Sequence, residues 1–400
     1  MNILFLSTEN PFPLDHGHHL RTYHVLKALS AVHKIHFMAF TQDDSGFKYK
    51  PQLQEFCASV EIFQLKYRGW RQAFLSVLNL FSPLPLIAQK YYDTKVANRI
   101  KALIDSAEID LVHFDLLHLA KYRKELNGFP SILVNHNVES LRVLRWSKVE
   151  RNPFLKTFLL YQYRKLKSFE KKVCIEFDQC TVVSDTDKEF LARLCGSENF
   201  VTIPNGVDVD YFHVSKDRIE PNTLVWAGSM SGAYNKDAVI YFLEKIWPKI
   251  QNEIPDTRVT FVGNSPPKIL KRMAAQSTNV KFTGYVDDVR PYIANSAVFI
   301  APLRSGSGTK VKVLNAMSQG KSVVTTSIGA EGIEAQVDEE IIVADAPEEF
   351  ARKTVYLLKH SEEAHNIGQR ARRVIEEKYD WEVINTTILQ VYKEFEPQAL

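Results

Sequence analysis

The sequence predicts an α/β protein of two Rossmann-like, doubly wound domains facing a central cleft, and three observations lead there. At 400 residues the chain is too long for one compact core. Short apolar runs alternate with longer amphipathic ones, the pattern of parallel strands joined by crossover helices. The rhythm breaks once, at Val201–Asp208, where Pro204 and Asn205-Gly206 supply turn chemistry that stops helix or strand.

Before that break the strands are Asn2–Ser7, Lys34–Phe40, Val60–Leu65, Leu111–Phe114, Ser131–Val134 and the run from Cys180. Helices follow at Arg21–Ser30, around Leu117–Tyr122 and from about Thr186. After the break, Thr223–Ala227, Val259–Val262, Val280–Thr283, Val298–Ala301, Ser322–Thr325 and Ile341–Val343 read as strands. Asp237–Glu253, Pro267–Ala275 and Val311–Gln319 read as the helices between them. The expected division is a first domain over 1–204, a hinge over 205–215 and a second domain over 216–385. A helical tail over 386–400 is expected to pack back on the first domain.

Composition narrows the setting. Fifty Lys and Arg against 47 Asp and Glu give no polyelectrolyte field, so nucleic acid is not an expected partner. Cys57, Cys174, Cys180 and Cys195 have neither CxxC pairing nor zinc spacing and read as buried reduced thiols. MNILFLST is an apolar strand rather than a signal peptide, and no stretch approaches the ~20 apolar residues of a membrane span, so a cytoplasmic location is expected. Two segments stand apart. Lys66–Pro85 mixes Lys66, Arg68 and Arg71 with Trp70, Phe74, Leu78 and Phe81, while Arg142–Lys172 holds ten cations against Glu150 and Glu170. A basic, aromatic-bearing surface suits the inner face of an anionic membrane, and a solvated helix face is the alternative.

The most informative stretch is Ala301–Ile333. An apolar strand runs into a turn with Gly306 and Gly308, and Thr309 opens a segment whose Val311, Leu314 and Met317 share one face. Backbone N–H groups at such a helix start point outward, and Lys310 and Lys312 add charge beside them. The pattern points to an anion site, for which a diphosphate is the natural occupant.

With IPNGVDVDYF, VWAGSMSGAYNKDAVIYF, VGN, FTGYVDDVRPYI, PLRSGSGTKVKVLNAMSQGKSVVTT and GAEGI in this order, and Gly17 followed by Arg21 in the first loop, the chain resembles the retaining GT-B glycosyltransferases of group 1 (GT4) over nearly its full length. The resemblance implies a nucleotide-sugar donor, a glycan or lipid-linked acceptor and no metal cofactor. It implies donor contacts from Gly17, Gly228, Ser229, Lys236, Gly284, Tyr285, Val286, Gly306, Ser307, Gly308, Thr309, Asn315 and Glu331. Lys310 and Lys312 would stabilise the charge growing on the leaving diphosphate. His136, at a strand end, would hydrogen-bond the transferred sugar or reacting centre, with Arg21 and Glu139 on the acceptor side. Asp287-Asp288 reads as helix capping.

The family's pair of glutamates separated by seven residues is replaced here by Ser307 and Asn315. An amide can still bond a ribose diol but lacks the charge-assisted acceptor. Two functional readings therefore stand: an active transferase in polysaccharide or glycoconjugate synthesis, and a weakened GT-B protein that binds nucleotide-sugar or glycan as a partner subunit. A nucleotide-sugar epimerase is a third, disfavoured by the basic surface.

Overall fold

The computed structural model describes residues 1–396 apart from 15, 66–69, 107–108, 216–217, 265 and 276, and the side chains of 44–45 and 70–73 are also left aside. The chain divides into two compact units. The first comprises 1–144, 153–204 and 384–400, and the second comprises 145–152 and 205–383.

The first unit is a seven-stranded parallel sheet: β1 (Asn2–Ser7), β2 (Lys34–Thr41), β3 (Ser59–Gln64), β4 (Leu111–Asp115), β5 (Ser131–Asn135), β6 (Gln179–Val182) and β7 (Phe200–Thr202). Its order is β3-β2-β1-β4-β5-β6-β7. The central strands β1, β4 and β5 are buried on both faces, which is why they read as largely apolar runs. Between β1 and β4 the winding reverses, and there Ser7 lies in register with Asp115 at the carboxyl ends. Such a switch point is where open α/β sheets bind ligands.

The second unit holds β8 (Thr223–Ala227), β9 (Arg258–Val262), β10 (Val280–Gly284), β11 (Val298–Ala301), β12 (Val323–Thr325) and β13 (Ile342–Val343), ordered β10-β9-β8-β11-β12-β13 and all parallel. Its switch point lies between β8 and β11, which lead into the loops at Gly228 and Leu303–Lys310. Beneath them Trp226, Phe261, Phe299 and Leu314 are buried.

The strands stand where the apolar runs placed them. Three details differ. Phe200–Thr202 is a strand paired with β6, although the turn residues after it made the stretch look like a break. The helix expected from Asp237 begins at Ala233 and passes through a π turn at Phe242–Ile246. Within the second basic segment are two helices, Glu139–Val149 and Pro153–Val173.

Candidate functional site

At the switch point of the first unit a carboxylate is buried among imidazoles. Asp115 is 2% exposed. Its Oδ1 accepts from His136 Nε2 at 2.6 Å, and its Oδ2 accepts from the Thr22 hydroxyl at 2.6 Å, with His18 Nε2 at 3.2 Å. Three elements supply these groups: β4 ends on Asp115, His136 follows β5, and the Gly17–Ser30 helix presents His18 and Thr22 from its first turns.

The charges are set by this geometry. Burial opposes the charge on His18, but hydrogen bonds to Asp115 and to Glu9, at 2.8 Å from Nδ1, raise its pKa to about 9. Burial also opposes the Asp115 charge, yet His136 and His18 hold it well below the usual carboxylate range. His136 goes the other way: burial lowers it to about 4 against the pull of Asp115. It is therefore a neutral imidazole at pH 7, its Nε2–H spent on Asp115 and its Nδ1 left as the acceptor. Glu139 is buried and takes Arg142 at 2.5 Å.

Arg21 is placed differently from its expected acceptor-side role. It is 2% exposed and donates to the carbonyls of Ile203 at 2.9 Å and Pro204 at 2.8 Å. It fastens the chain leaving β7 to the first helix and does not open to an acceptor.

In the second unit the cluster is built around Lys312, in the first turn of the Val311–Ser318 helix. Its Nζ lies 4.2 Å from the Trp226 ring centre and donates to Asn235 Oδ1 at 2.6 Å, while Asn235 donates to the Ser229 carbonyl at 2.6 Å. Burial, with Lys310 nearby, lowers the Lys312 pKa to about 7. Gly228 has φ 149°, and a Cβ there would stand 2.5 Å from that Nζ, so the ammonium can occupy its niche only because the residue is glycine. A Cβ at Gly263 would meet the Gly228 carbonyl oxygen at 1.9 Å, so the two loops can approach this closely only with glycine there, and the Gly228 N–H donates to the Val262 carbonyl at 2.9 Å.

Lys310 caps this helix without a side-chain cap and donates to the Gly308 carbonyl, with Glu331 at 4.0 Å. Ser307 and Thr309 are buried. Arg145 makes a bidentate pair with Glu331, at 2.5 and 2.7 Å, and also holds the Gly306 carbonyl at 2.8 Å. Glu331, expected to make a donor contact to sugar hydroxyls or to reach the hinge region, is thus paired inside the protein with Arg145. Lys236 is exposed and the inward position belongs to Asn235. Gly284 ends β10 at φ 75°, followed by Tyr285, which is 70% exposed, and half-buried Val286. Asn315 is half-buried on the same helix as Lys312. Asp288 accepts from the Arg290 backbone N–H at 2.9 Å and pairs with the Arg290 guanidinium at 2.8 Å, while the N-cap position of the Arg290–Ala294 helix falls to Val289, without a side-chain cap.

The basic segments divide. Lys66 and Arg68, with the side chains of Trp70 and Arg71, lie outside the described residues. In the other segment Arg142, Arg145 and Arg151 pair with Glu139, Glu331 and Glu244, and Lys165 is buried against the Asn79 carbonyl. Lys156, Arg164, Lys167, Lys171 and Lys172 remain exposed on the Pro153–Val173 helix. Beside them Phe74, Val77, Phe81 and Phe154 are 55, 58, 87 and 85% exposed. Tyr161 joins the two segments by donating to the Leu80 carbonyl at 2.6 Å. No described helix is long and apolar enough to cross a membrane.

Sequence reasoning missed Asp115, His18, Asn235 and Arg145. Only Asp115 left a signal, as a carboxylate ending a mostly apolar strand.

Two doubly wound parallel sheets in one chain, each with a polar cluster at its switch point, define the GT-B class. Comparison with known proteins narrows this. Residues 17–211 match the model of Glycosyltransferase Family 4, and residues 221–360 match that of Glycosyl transferases group 1. The two matches do not overlap and together span most of the chain, which belongs to the group 1, GT4-like glycosyltransferases. It is 23% identical over 97% of its length to an uncharacterized 44.6 kDa protein in the cps region of Klebsiella pneumoniae, covering 99% of that protein. It is 27% identical over 53% of its length to phosphatidyl-myo-inositol mannosyltransferase of Mycobacterium tuberculosis, covering 58% of that protein. Among solved structures, Anabaena HepE in complex with UDP and glucose superposes with a TM-score of 0.69 at 16% identity, over 98% of this chain and all of that one.

Proposed function

We propose that the chain moves a sugar from a nucleoside diphosphate donor to a hydroxyl of a glycan or lipid-linked acceptor, with retention at the anomeric carbon, in polysaccharide or glycoconjugate synthesis. The observation that carries this is the pair Lys310 and Lys312 at an uncapped helix start on the switch point of the second sheet. An anion there meets N–H dipoles and two ammonium groups, and the charge of a departing diphosphate grows where they sit. In this reading the lysines do the work that a metal ion does in other transferases. Ser307, Thr309 and the glycine turn cradle the phosphates, and Tyr285 with its backbone neighbours receives the base. Neutral His136, oriented by Asp115, meets the transferred sugar. The complex of HepE with UDP and glucose and the cps setting of the Klebsiella relative support the same reading.

Calorimetric titration with UDP- and GDP-sugars, followed by transfer assays and NMR of the product's anomeric proton, tests it. Absence of nucleotide binding, or an inverted product, would overturn it. Tight binding without turnover on any acceptor would favour the partner-subunit reading instead. Asn315→Glu is expected to tighten nucleotide affinity by about 1 kcal/mol or more, roughly fivefold, as a charged acceptor replaces an amide at the ribose. Unchanged affinity would place the ribose elsewhere.

The acceptor reading extends to the bilayer. The exposed Phe81 and Phe154, with the cations of the Pro153–Val173 helix, form a surface suited to an anionic inner leaflet. Phe81→Ser/Phe154→Ser is expected to cut sedimentation with phosphatidylglycerol vesicles at least tenfold. Sedimentation equal to that of the parent chain would remove the membrane from the reading.

A further inference from the structure

Beside the imidazole cluster of the first unit lies a cavity that the mechanism above does not use. It encloses about 170 Å³ at the carboxyl ends of β2 and β3, and its walls include Phe40, Gln64, Lys90, Tyr91, Tyr92 and Asp93. That is below the ~300–1,000 Å³ of a pocket for a whole small ligand and in scale with one polar headgroup. One wall is held from behind. The buried Tyr122 hydroxyl donates to the Tyr91 carbonyl at 2.7 Å and accepts from the Asp93 N–H at 2.8 Å.

Lys90 sets the chemistry of this lining. Its half-buried ammonium donates to the Tyr91 hydroxyl at 3.3 Å and stands 4.9 Å from the centre of that ring. No carboxylate among the described residues pairs with it, and burial lowers its pKa against the pull of Glu9. The acids around the cavity are already engaged: Glu9 with His18 at 2.8 Å, Glu139 with Arg142 at 2.5 Å, and Asp93 with the Lys95 N–H at 2.8 Å as the cap of the Thr94–Asp105 helix. An ammonium carries three N–H donors, and with a neutral hydroxyl as its partner here its charge is left for an anion from outside.

Two neighbours indicate which anion. On one side Tyr91 meets His118 edge to face, ring centres 5.6 Å apart, and the charges of Glu9 and Glu139 both reach its hydroxyl, so the cavity adjoins the cluster of His18, Asp115 and His136. On the other, Lys90 ends the Leu86–Lys90 helix, five residues or about 7.5 Å long, and before that helix come the exposed Leu80 and Phe81. The connection is stiff. Asn79 donates to the Leu84 carbonyl at 2.9 Å and to Gln89 Oε1 at 2.8 Å, while Gln162 of the Pro153–Val173 helix accepts from the Leu86 N–H at 3.0 Å. A cation is thus held a short, fixed step from an exposed apolar edge and beside the His136 cluster.

We propose that the Lys90 cavity is a subsite for the phosphate of an amphiphilic acceptor, whose apolar chain lies on Leu80 and Phe81 and whose sugar reaches His136. That the amphiphile is an acceptor rests on the transferase reading; that it is a phosphate on an apolar chain rests on the cavity and the apolar edge alone. A free phosphate would satisfy Lys90 and leave the edge bare, and a neutral chain would do the reverse. Both parts should therefore act together.

The test is calorimetry of the full-length protein with decyl phosphate below its micellar concentration, set against decanol and inorganic phosphate. Decyl phosphate should bind at least tenfold more tightly than either. Lys90→Ala should erase its advantage over decanol, Lys90→Arg should keep most of it, and Phe81→Ser should bring its affinity towards that of inorganic phosphate. Thermal unfolding of Lys90→Ala should match the parent chain, which separates loss of the subsite from loss of fold. Decyl phosphate binding that ignores Lys90 would put the phosphate elsewhere, and inorganic phosphate binding as tightly as decyl phosphate would leave a site for the free anion; either result would overturn the proposal. If nucleotide-sugars fail to bind while decyl phosphate still requires Lys90, the transferase reading falls and the subsite stands.

Discussion

Lys312→Ala is expected to lower kcat/KM by about 10²–10³-fold while leaving the fold intact. The ammonium is buried against Trp226 and Asn235, in a place where developing charge is worth far more than in water. The effect should fall mainly on kcat, since a diphosphate that is leaving carries more charge than one still esterified. A pH signature accompanies it. With a pKa near 7 in the free protein, Lys312 is mostly neutral at pH 8, and an arriving diphosphate favours its charged form. Donor binding at pH 8 should therefore take up close to one proton, visible as a buffer-dependent calorimetric enthalpy, and affinity should fall as pH rises above 7. Lys312→Ala should lose the uptake. A variant that binds with the same proton uptake, or turns over at the parent rate, would place the diphosphate away from this helix.

Asp115→Asn should be the most damaging single change in the first unit. It leaves the charged His18 with Glu9 alone and gives His136 Nε2 an amide in place of a carboxylate. Breaking a buried ion pair from one side costs about 3–5 kcal/mol, so denaturant unfolding should show a loss of that order. Activity should fall at least about 100-fold in the fraction that remains folded, because Asp115 is the residue that positions the His136 ring. His136→Ala should match the activity loss with a smaller stability loss. If Asp115→Asn left both stability and turnover near the parent values, the cluster would have no part in function.

How much of this was legible follows from where the partners lie in sequence. Parallel strands such as Asn2–Ser7 and Val298–Ala301 are buried on both faces, so Ile3–Leu6 and Val298–Ala301 show in any reading as unbroken apolar runs. Gly306, Gly308 and the two lysines were visible because the cradle is local, all within seven residues. Asn235 against Lys236 was not, since a helix beginning at Ala233 rather than near Asp237 decides which of the two turns inward. Arg145 and Arg151 look like part of a solvated or membrane stripe because their acids, Glu331 and Glu244, stand about 190 and 90 residues away. Asp115 gains its meaning only through its register with Ser7 and its reach to His136, relations between strands that no single segment carries.

Arg145 bears on whether the second unit can stand as a self-sufficient cassette. A fragment beginning at Asn205 would carry all six strands of its sheet and every residue of the glycine turn, yet it would lack the guanidinium that neutralises Glu331. The uncovered carboxylate would have Lys310, 4.0 Å away, as a neighbouring cation and would compete for its charge with the diphosphate of the proposed reaction. Grafting this half onto another first half would transfer the fold faithfully and the affinity only if an arginine came with it.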